Sequence, residues 1–516
     1  MTPPRPSPSR SGQTLTLGIS GVRRNAAAAA CRDGVLIGCC EQERVTRVRG
    51  ARLEAGRLPV EAVEAVLRST GGGTLPDVTA CATAEAGIEL PAGLPVTPVE
   101  HHLAHATGAF RMSPFDRAAV LVCDRHSTPP DSIWVAGSDR LVRRDWSLGT
   151  TGLAALYTAC AEVFGFRPGQ EHRLEALARL DSGDGAVRFE SLIRYADGEL
   201  FASPGWRGLV ADWLAAGSGD PIAHRAAVAS AFQRHLGDIL LQLAADVRRD
   251  TGLPHLCVGG GLFYNTYFNA VVRQGGIFDD VFVPPNPGNA GASAGAALAA
   301  AGAGPGRAVS AFLGPGYESG EIKDTLDNCK LVYDYASEND VVESTVDALR
   351  RGLLVGWFQG RMEWGHRALG NRSILASPLS PYVLDNLNRF LKRREPQRAY
   401  GLSIPETAVP AFLEGPPRSA FMEFDYRILD GERLRHVLPT GVASLRIQTV
   451  SGQDEASRRF ESLHEAFGAA AGVPALVNTS FNGFSEPIVC SPRDAIRVFF
   501  GTGLDVLVLD RFILRK

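Results

Sequence analysis

Lysine is nearly missing from this chain: its 516 residues hold four, Lys323, Lys330, Lys392 and Lys516, against 49 arginines. An ammonium and a planar guanidinium differ in reach and hydration, so a lysine that persists in such a background marks a position where chemistry asks for one. Cysteine is sparse and unpatterned. The nine stand singly apart from the neighbours Cys39 and Cys40, with no CxxC pair, which argues against a disulfide framework or a structural zinc site. No run approaches the roughly 20 apolar residues of a membrane span, and the first thirteen residues are polar and proline-rich, without the apolar stretch of a secretory signal. We expect a disordered tail over 1–13 and a cytoplasmic protein with no membrane contact. The formal charge is only −3, with Arg spread evenly among Asp and Glu, so nothing suggests a basic face for a nucleic-acid partner.

What is there is a chain 45% hydrophobic and too long for one core of ordinary size. LTLGIS reads as a strand, AAAAACRDGVLIGCCEQE as two strands turning at Asp33-Gly34, and VEAVEAVL as a helix. AAVLVCDR and PHLCVGGG are apolar strands, and AAVASAFQRHLGDILLQLAADVRRD is a long amphipathic helix. Strand tips carrying Asp124 and Gly259 to Gly261 are where α/β proteins place ligands. A stretch dense in Gly and Ala runs into Pro305 and Pro315, and the domain boundary is placed there. The expected units are residues 14–310 and 311–516. The second begins with the helix SENDVVESTVDALRRG, continues into the strand LLVGWF and ends in strands around PALVNTSFN and VLVLDRFIL. No internal repeat is visible.

Three stretches carry chemistry. In TPVEHHLAHATGAF, Thr97 and Glu100 form a capping box with Pro98 at the first helical position, so a helix starts just before the histidines. His101 and His105 then fall at i and i+4, facing the same way and able to share one metal ion, with Asp124 downstream as a further ligand. His102 points elsewhere, toward substrate. In VGGGLFYNTYFN, the glycines Gly259, Gly260 and Gly261 bare backbone amides for a nucleotide phosphate or ribose. The third stretch, GWFQGRMEWGHRALGNRSILASP, sets Arg361, Glu363, Arg367, Asn371 and Arg372 behind an apolar strand. Lys392, Arg393, Arg394 and Arg398 follow; Arg446 lies inside a β-type run, and Asn478, Thr479 and Ser480 end a strand. Guanidinium forks, one ammonium and strand-end hydroxyls suit a phosphate-rich substrate such as ATP with carbamoyl phosphate.

These stretches, with GISG, EQERVTR, EHRLEALA, GNAGASAGAA and LNRFLKRRE, run in order along nearly the whole chain and resemble the antibiotic and nodulation-factor O-carbamoyltransferase family. The resemblance implies an α/β protein: an amino-terminal domain of the actin-like ATPase superfold and a carboxy-terminal domain similar to threonylcarbamoyl-adenylate synthases. In such enzymes the second domain makes carbamoyl adenylate from carbamoyl phosphate and ATP, with Mg2+. The first domain transfers the carbamoyl group to an alcohol near a divalent metal, commonly Fe2+. Carried over by motif, Arg361, Arg367, Asn371, Arg372, Lys392, Arg398, Arg446, Asn478 and Ser480 would hold carbamoyl phosphate and ATP, with Lys392 and Arg367 also catalytic. Arg173, Gly260, Gly261 and Asn265 would hold the adenylate in the first domain. His101, His105 and Asp124 would bind metal, and His102 would act as base beside a small-molecule acceptor. A homo-oligomer is possible, and the alternatives of the same fold are a tRNA threonylcarbamoyl-type transferase and a non-catalytic nucleotide sensor.

Departures from the family pattern gather in the first half. Arg24-Asn25 replaces the usual His-Asp, Asp124-Arg125 the usual Asp-Gly, and Glu175-Ala176 the usual Met-Gly, while Arg173 keeps the charge of the usual Lys. Asn289 stands where the family has an Asp metal ligand, so a weaker metal site is expected. In the second half His366 replaces Pro, and Arg398-Ala399 replaces Arg-Pro.

Overall fold

The computed structural model describes residues 14–516 apart from 54–56, 72, 86–93, 126, 147–148, 150, 182–186, 218–219, 303 and 453–454. The tail expected over 1–13 lies outside the described residues. Leu15–Ser20, Ala27–Arg32 and Val35–Glu41 form an antiparallel meander, and Ala80–Thr83 and Val96–Pro98 add on the other side of Leu15–Ser20 in parallel. The hairpin turn sits at Asp33-Gly34 as expected. Both residues have positive φ, 49° and 78°, which matches the right-handed twist of the flanking strands.

A second sheet repeats this plan. Arg117–Cys123 is central, Asp131–Gly137 and Leu141–Arg143 continue antiparallel on one side, and His255–Gly259 and Asp280–Phe282 add in parallel on the other. The sequence shows no repeat, yet the architecture contains one. Each strand needs only apolar residues at the right places, so topology is duplicated without any shared residue string. Two five-stranded sheets of this order form the actin-like ATPase superfold that the resemblance implies.

The halves of this domain exchange helices. His101–Arg111 follows the first sheet and packs on the second, while Gly291–Ala300 follows the second sheet and packs on the first. The two helices cross with their backbones nearly touching: a Cβ on Gly295 would lie 1.7 Å from the Ala104 carbonyl oxygen. The Gly- and Ala-dense segment upstream of the expected boundary is this second helix, and its small side chains are what permit the crossing.

From residue 334 onward the strands build a separate, mixed ten-stranded sheet. Val355–Phe358 lies near its middle between Val506–Leu509 and Arg372–Ala376, and Leu476–Ser480 and Ser444–Val450 pair farther along. The VLVLDRFIL stretch is a hairpin of two strands rather than one. A helix absent from the sequence reading, Ser319–Asn328, precedes Glu338–Arg350. Its weak apolar stripe buries only Ile322 and Leu326. The EQERVTR motif ties the two parts: Arg44 donates to the Gly365 carbonyl, and Arg47 donates to the carbonyls of Pro487 and Ile488. No described helix is long and apolar enough to cross a membrane.

Candidate functional site

The histidine helix starts where expected but by a different cap. Thr97 and Pro98 belong to the short strand Val96–Pro98, and Glu100 is the N-cap, its carboxylate accepting from the amides of His102 and Leu103. The local pairing of Val96–Pro98 with Ala80–Thr83 outweighs the capping-box pattern. One turn inside this cap, His101 and His105 bring their Nε2 atoms to 3.2 Å, and His101 Nε2 lies 3.3 Å from Asp124 Oδ2. Among the described residues, a ligand atom from each of the three falls within 4.8 Å of the others. Burial, and then the neighbouring His101, hold His105 down to about 3, so its ring is neutral and offers a lone pair. For His101 burial opposes the charge, but the hydrogen bond and charge of Asp124, with Glu85, outweigh it and raise its pKa. Two imidazoles and a carboxylate that converge in this way fit a divalent cation.

His101 also lines an open cavity of about 610 Å³ with Arg23, Glu85, Ser127, Thr128 and Asn289. Asn289 therefore shares the cavity but is not one of the three converging groups. Glu85 receives the Val22 amide at 2.6 Å and stands 4.0 Å from His101 Nδ1, a neighbour that no sequence motif indicates. His102 is placed differently from expectation. It is buried, its Nδ1 2.8 Å from Ser132 Oγ, which also receives the Trp134 indole N–H at 2.9 Å, and it does not line the cavity. A residue one step along a helix turns about 100° away, and here that direction is the second sheet. Burial holds His102 near 4, and its Nε2 is buried without a hydrogen-bond partner.

The glycine turn closes against this site. Gly260 has φ +95°, and a Cβ there would lie 2.1 Å from the Cys123 carbonyl oxygen; one on Gly261 would lie 3.9 Å from Asp124 Oδ1. Asn265, expected to touch adenylate, instead caps the helix Thr266–Gln274 through Tyr267 N and donates to Gln233. Both ends of its amide are taken.

The arginines divide in the same manner. Arg361 donates to the carbonyls of Gly314, Leu313 and Ile37; Asn371 donates to Arg361 O and receives Gln359; Arg372, fully buried over the Phe358 ring, donates to the carbonyls of Gln359, Asn371, Pro315 and Gly360. These three were expected to hold phosphate, but main-chain carbonyls take most of their donors, with Arg372 Nε buried and without a partner, and they serve the framework. Asn478 likewise donates to Gln448 at 2.8 Å. Arg367, Arg398 and Arg446 behave otherwise: they gather in the seam between the two parts of the chain. Arg367 donates only to Tyr264 O, at 3.2 Å, and its Nε and that of Arg446 are buried without a hydrogen-bond partner. Burial, then the charges of Arg367 and Arg179, depress Arg446 well below the usual arginine range, and burial with Arg394 brings Arg398 to about 10. Burial, then Arg398, brings His172 to about 3, and burial, then Arg367 and Arg446, holds His366 well below the usual histidine range. Buried guanidiniums crowded in this way favour an anion between them.

Lys392 is the one buried lysine. Its Nζ donates to Ser480 O at 2.6 Å and to Asn482 O and Oδ1 at 2.9 and 2.6 Å, and burial pulls it well below the usual lysine range. Lys392 and Ser480 are therefore brought together. Arg173 joins the halves, pairing with Glu395 and lying over the Phe166 ring. Sequence reasoning missed Arg179, Thr266 and Asp425, which meet in the seam; the i,i+4 spacing of Glu175 and Arg179 was the available signal.

Residues 211–298 match the carbamoyltransferase N-terminus and residues 346–516 the carbamoyltransferase C-terminus. The nodulation protein NolO of Bradyrhizobium diazoefficiens is 31% identical over 443 residues, covering 81% of this chain and 79% of its own length. NolNO of Sinorhizobium fredii is 28% identical and covers 95% and 78%, and the uncharacterized protein sll1178 of Synechocystis is 31% identical over 81% and 76%. Among solved structures, the activator of 2-hydroxyisocaproyl-CoA dehydratase from Clostridium difficile overlaps 56% of this chain and 94% of its own at 12% identity and a TM-score of 0.36. HypF of T. kodakarensis overlaps 56% and 48% at 11% and 0.39. The chain belongs to the carbamoyltransferase family, and it is an enzyme, an O-carbamoyltransferase.

Proposed function

We propose that this enzyme activates a carbamoyl group as carbamoyl adenylate, using carbamoyl phosphate and ATP with Mg2+, and transfers it to the hydroxyl of a small natural-product alcohol in the cytoplasm. The observation that carries this reading is the division of charge: a seam with surplus guanidinium on one side, and a neutral-imidazole and carboxylate cluster beside an open cavity on the other. Carbamate is a poor electrophile until its oxygen carries a good leaving group. Water hydrolyses carbamoyl phosphate to carbamate and inorganic phosphate; a carbamate oxygen then forms a bond to the α-phosphorus of ATP as the bond to pyrophosphate breaks. Arg367, Arg398 and Arg446 neutralise and orient those phosphates, while Lys392, its Nζ held by Ser480 O and by Asn482 O and Oδ1, fixes the strand end at Ser480.

In the second step the acceptor oxygen bonds the carbamoyl carbon, AMP departs, and the acceptor proton passes to solvent or to a cavity group. A divalent cation, Fe2+ in this reading, held by His101, His105 and Asp124 would supply Lewis-acid polarisation at the carbonyl or the phosphate. The glycine turn at Gly260 and Gly261 keeps the approach to Asp124 free of side chains. The test is incubation with ATP, carbamoyl phosphate and a panel of alcohols, read by mass spectrometry. Pyrophosphate and AMP with a 43-dalton gain on one alcohol support the reading, at roughly the mass a carbamoyl group adds. Carbamoylated product formed without ATP consumption would overturn it.

A further inference from the structure

The seam holds a carboxylate of the chain itself. Glu175 lies on the helix Glu171–Ala178, is 2% exposed, and reaches Arg179 at 2.6 Å, Thr266 Oγ at 3.0 Å and Arg446 at 3.9 Å. Burial works against its charge, yet Arg179, then Arg446 and Arg367, hold it ionised with a pKa of about 2. Asp425, from the strand Phe424–Ile428, is taken by Arg179 at 2.8 Å and by the Thr266 hydroxyl at 2.6 Å. Arg173 pairs with Glu395, which also stands 3.8 Å from Arg398, and Arg394 adds a further charge beside Arg398, so the guanidiniums Arg179, Arg367, Arg398 and Arg446 outnumber the carboxylates Glu175 and Asp425 that face them. The cluster carries a positive surplus. His172 and His366 also face this group and are kept neutral by burial and then by these arginines, His366 against the Tyr264 ring at 4.3 Å with both nitrogens buried and unpartnered.

We propose that Glu175 is a specificity-determining residue that sets the charge the seam accepts, removing one unit of positive charge from the arginine cluster. Without that carboxylate the seam would bind phosphate and pyrophosphate more tightly and release them more slowly. With it, the attraction is weakened and a product anion can leave. A plain helix i,i+4 ion pair with Arg179 would not account for the Arg446 contact across the seam, nor for Glu175 acting on both Arg446 and Arg367.

This inference deepens the function proposed above and rests on the seam being its anion site. Full-length Glu175→Gln, with Glu175→Met as the second variant, is compared with the parent by calorimetric titration with inorganic phosphate and with pyrophosphate, alongside thermal unfolding. Removing one buried charge beside the ligand should tighten phosphate about tenfold or more and pyrophosphate by a larger factor. Turnover should fall through stronger product inhibition by pyrophosphate. If both variants melt lower and bind either anion no tighter than the parent, Glu175 is a structural ion pair and the inference is wrong. If parent and variants alike bind neither anion, the seam is not an anion site, and the function proposed above falls with it.

Discussion

The histidine cluster and the arginine seam differ in how far along the chain they reach. His101, His105 and Asp124 come from one helical turn and the next strand tip, so their geometry needs only a helix start and a sheet edge. The seam draws on Glu175, Arg179 and Thr266 from one part of the chain and Arg367, Arg398, Asp425 and Arg446 from the other. The electrostatics differ in sign as well. The first cluster combines a neutral imidazole with acid and asks for a cation; the second is buried guanidinium in surplus and asks for an anion. In the scheme proposed above, placing these opposite needs in separate regions would give activation and transfer each its own field, which one shared pocket could not supply.

The comparison can be broken most strongly at Arg367. Arg367→Ala should reduce pyrophosphate release from ATP and carbamoyl phosphate by about 100-fold or more, since a charge-assisted contact to phosphate is worth about 1.5 to 3 kcal/mol and the seam arginines act on one anion. Metal binding should not change. The reciprocal experiment is His101→Ala, for which Co2+ affinity, followed by its visible spectrum, should fall about 10- to 100-fold while pyrophosphate release holds. Were the histidine variant to lose pyrophosphate release as fully as the arginine variant, the two regions would not divide the reaction.

A histidine outside both regions gives a control. His464 is buried, with Nδ1 2.7 Å from Phe460 O and Nε2 2.9 Å from Ser403 Oγ, and burial lowers it from 6.5 to about 4. The unfolded chain therefore binds a proton between about pH 6.5 and 4 that the folded chain refuses. The stability it contributes is complete above about 6.5 and is lost as pH falls through that window, about 2 kcal/mol by pH 5. The parent should lose more stability between pH 7.5 and 5 than His464→Gln, in urea melts at both values; equal losses would refute the assignment. The smallest effect sharpens the metal side: Asn289→Asp adds a carboxylate to the cavity that His101 lines and should tighten Co2+ by roughly three- to tenfold. Unchanged affinity would place residue 289 outside the reach of the ion.

Much of this was legible because it is local. The Asp33-Gly34 hairpin, the long helix Pro221–Thr251, the strand ending at Cys123 and the i,i+4 histidines each depend on neighbours within a few residues, and each stands where the pattern put it. Lys392 was singled out by its place in the basic stretch LNRFLKRREPQRAY and by the resemblance, and it lies buried against the Ser480 strand end. The errors were local patterns overruled from a distance. Thr97 looked like a cap and was drawn into a strand; Arg361, Asn371 and Arg372 looked like phosphate ligands and were taken by carbonyls. Asn265 looked like a nucleotide contact and became a cap.

By itself, then, the sequence determined the family, the α/β class and the metal-competent histidine pair, all of which follow from residue type and short spacing. Only the tertiary structure decided that two unlike stretches share one strand order, that His102 turns into the second sheet, and that Glu175 meets Arg446 across the seam. The physical reason is common to all three. Which polar group neutralises which depends on burial and on partners brought together from distant positions, and a chain read in one dimension carries the charges but not the distances between them.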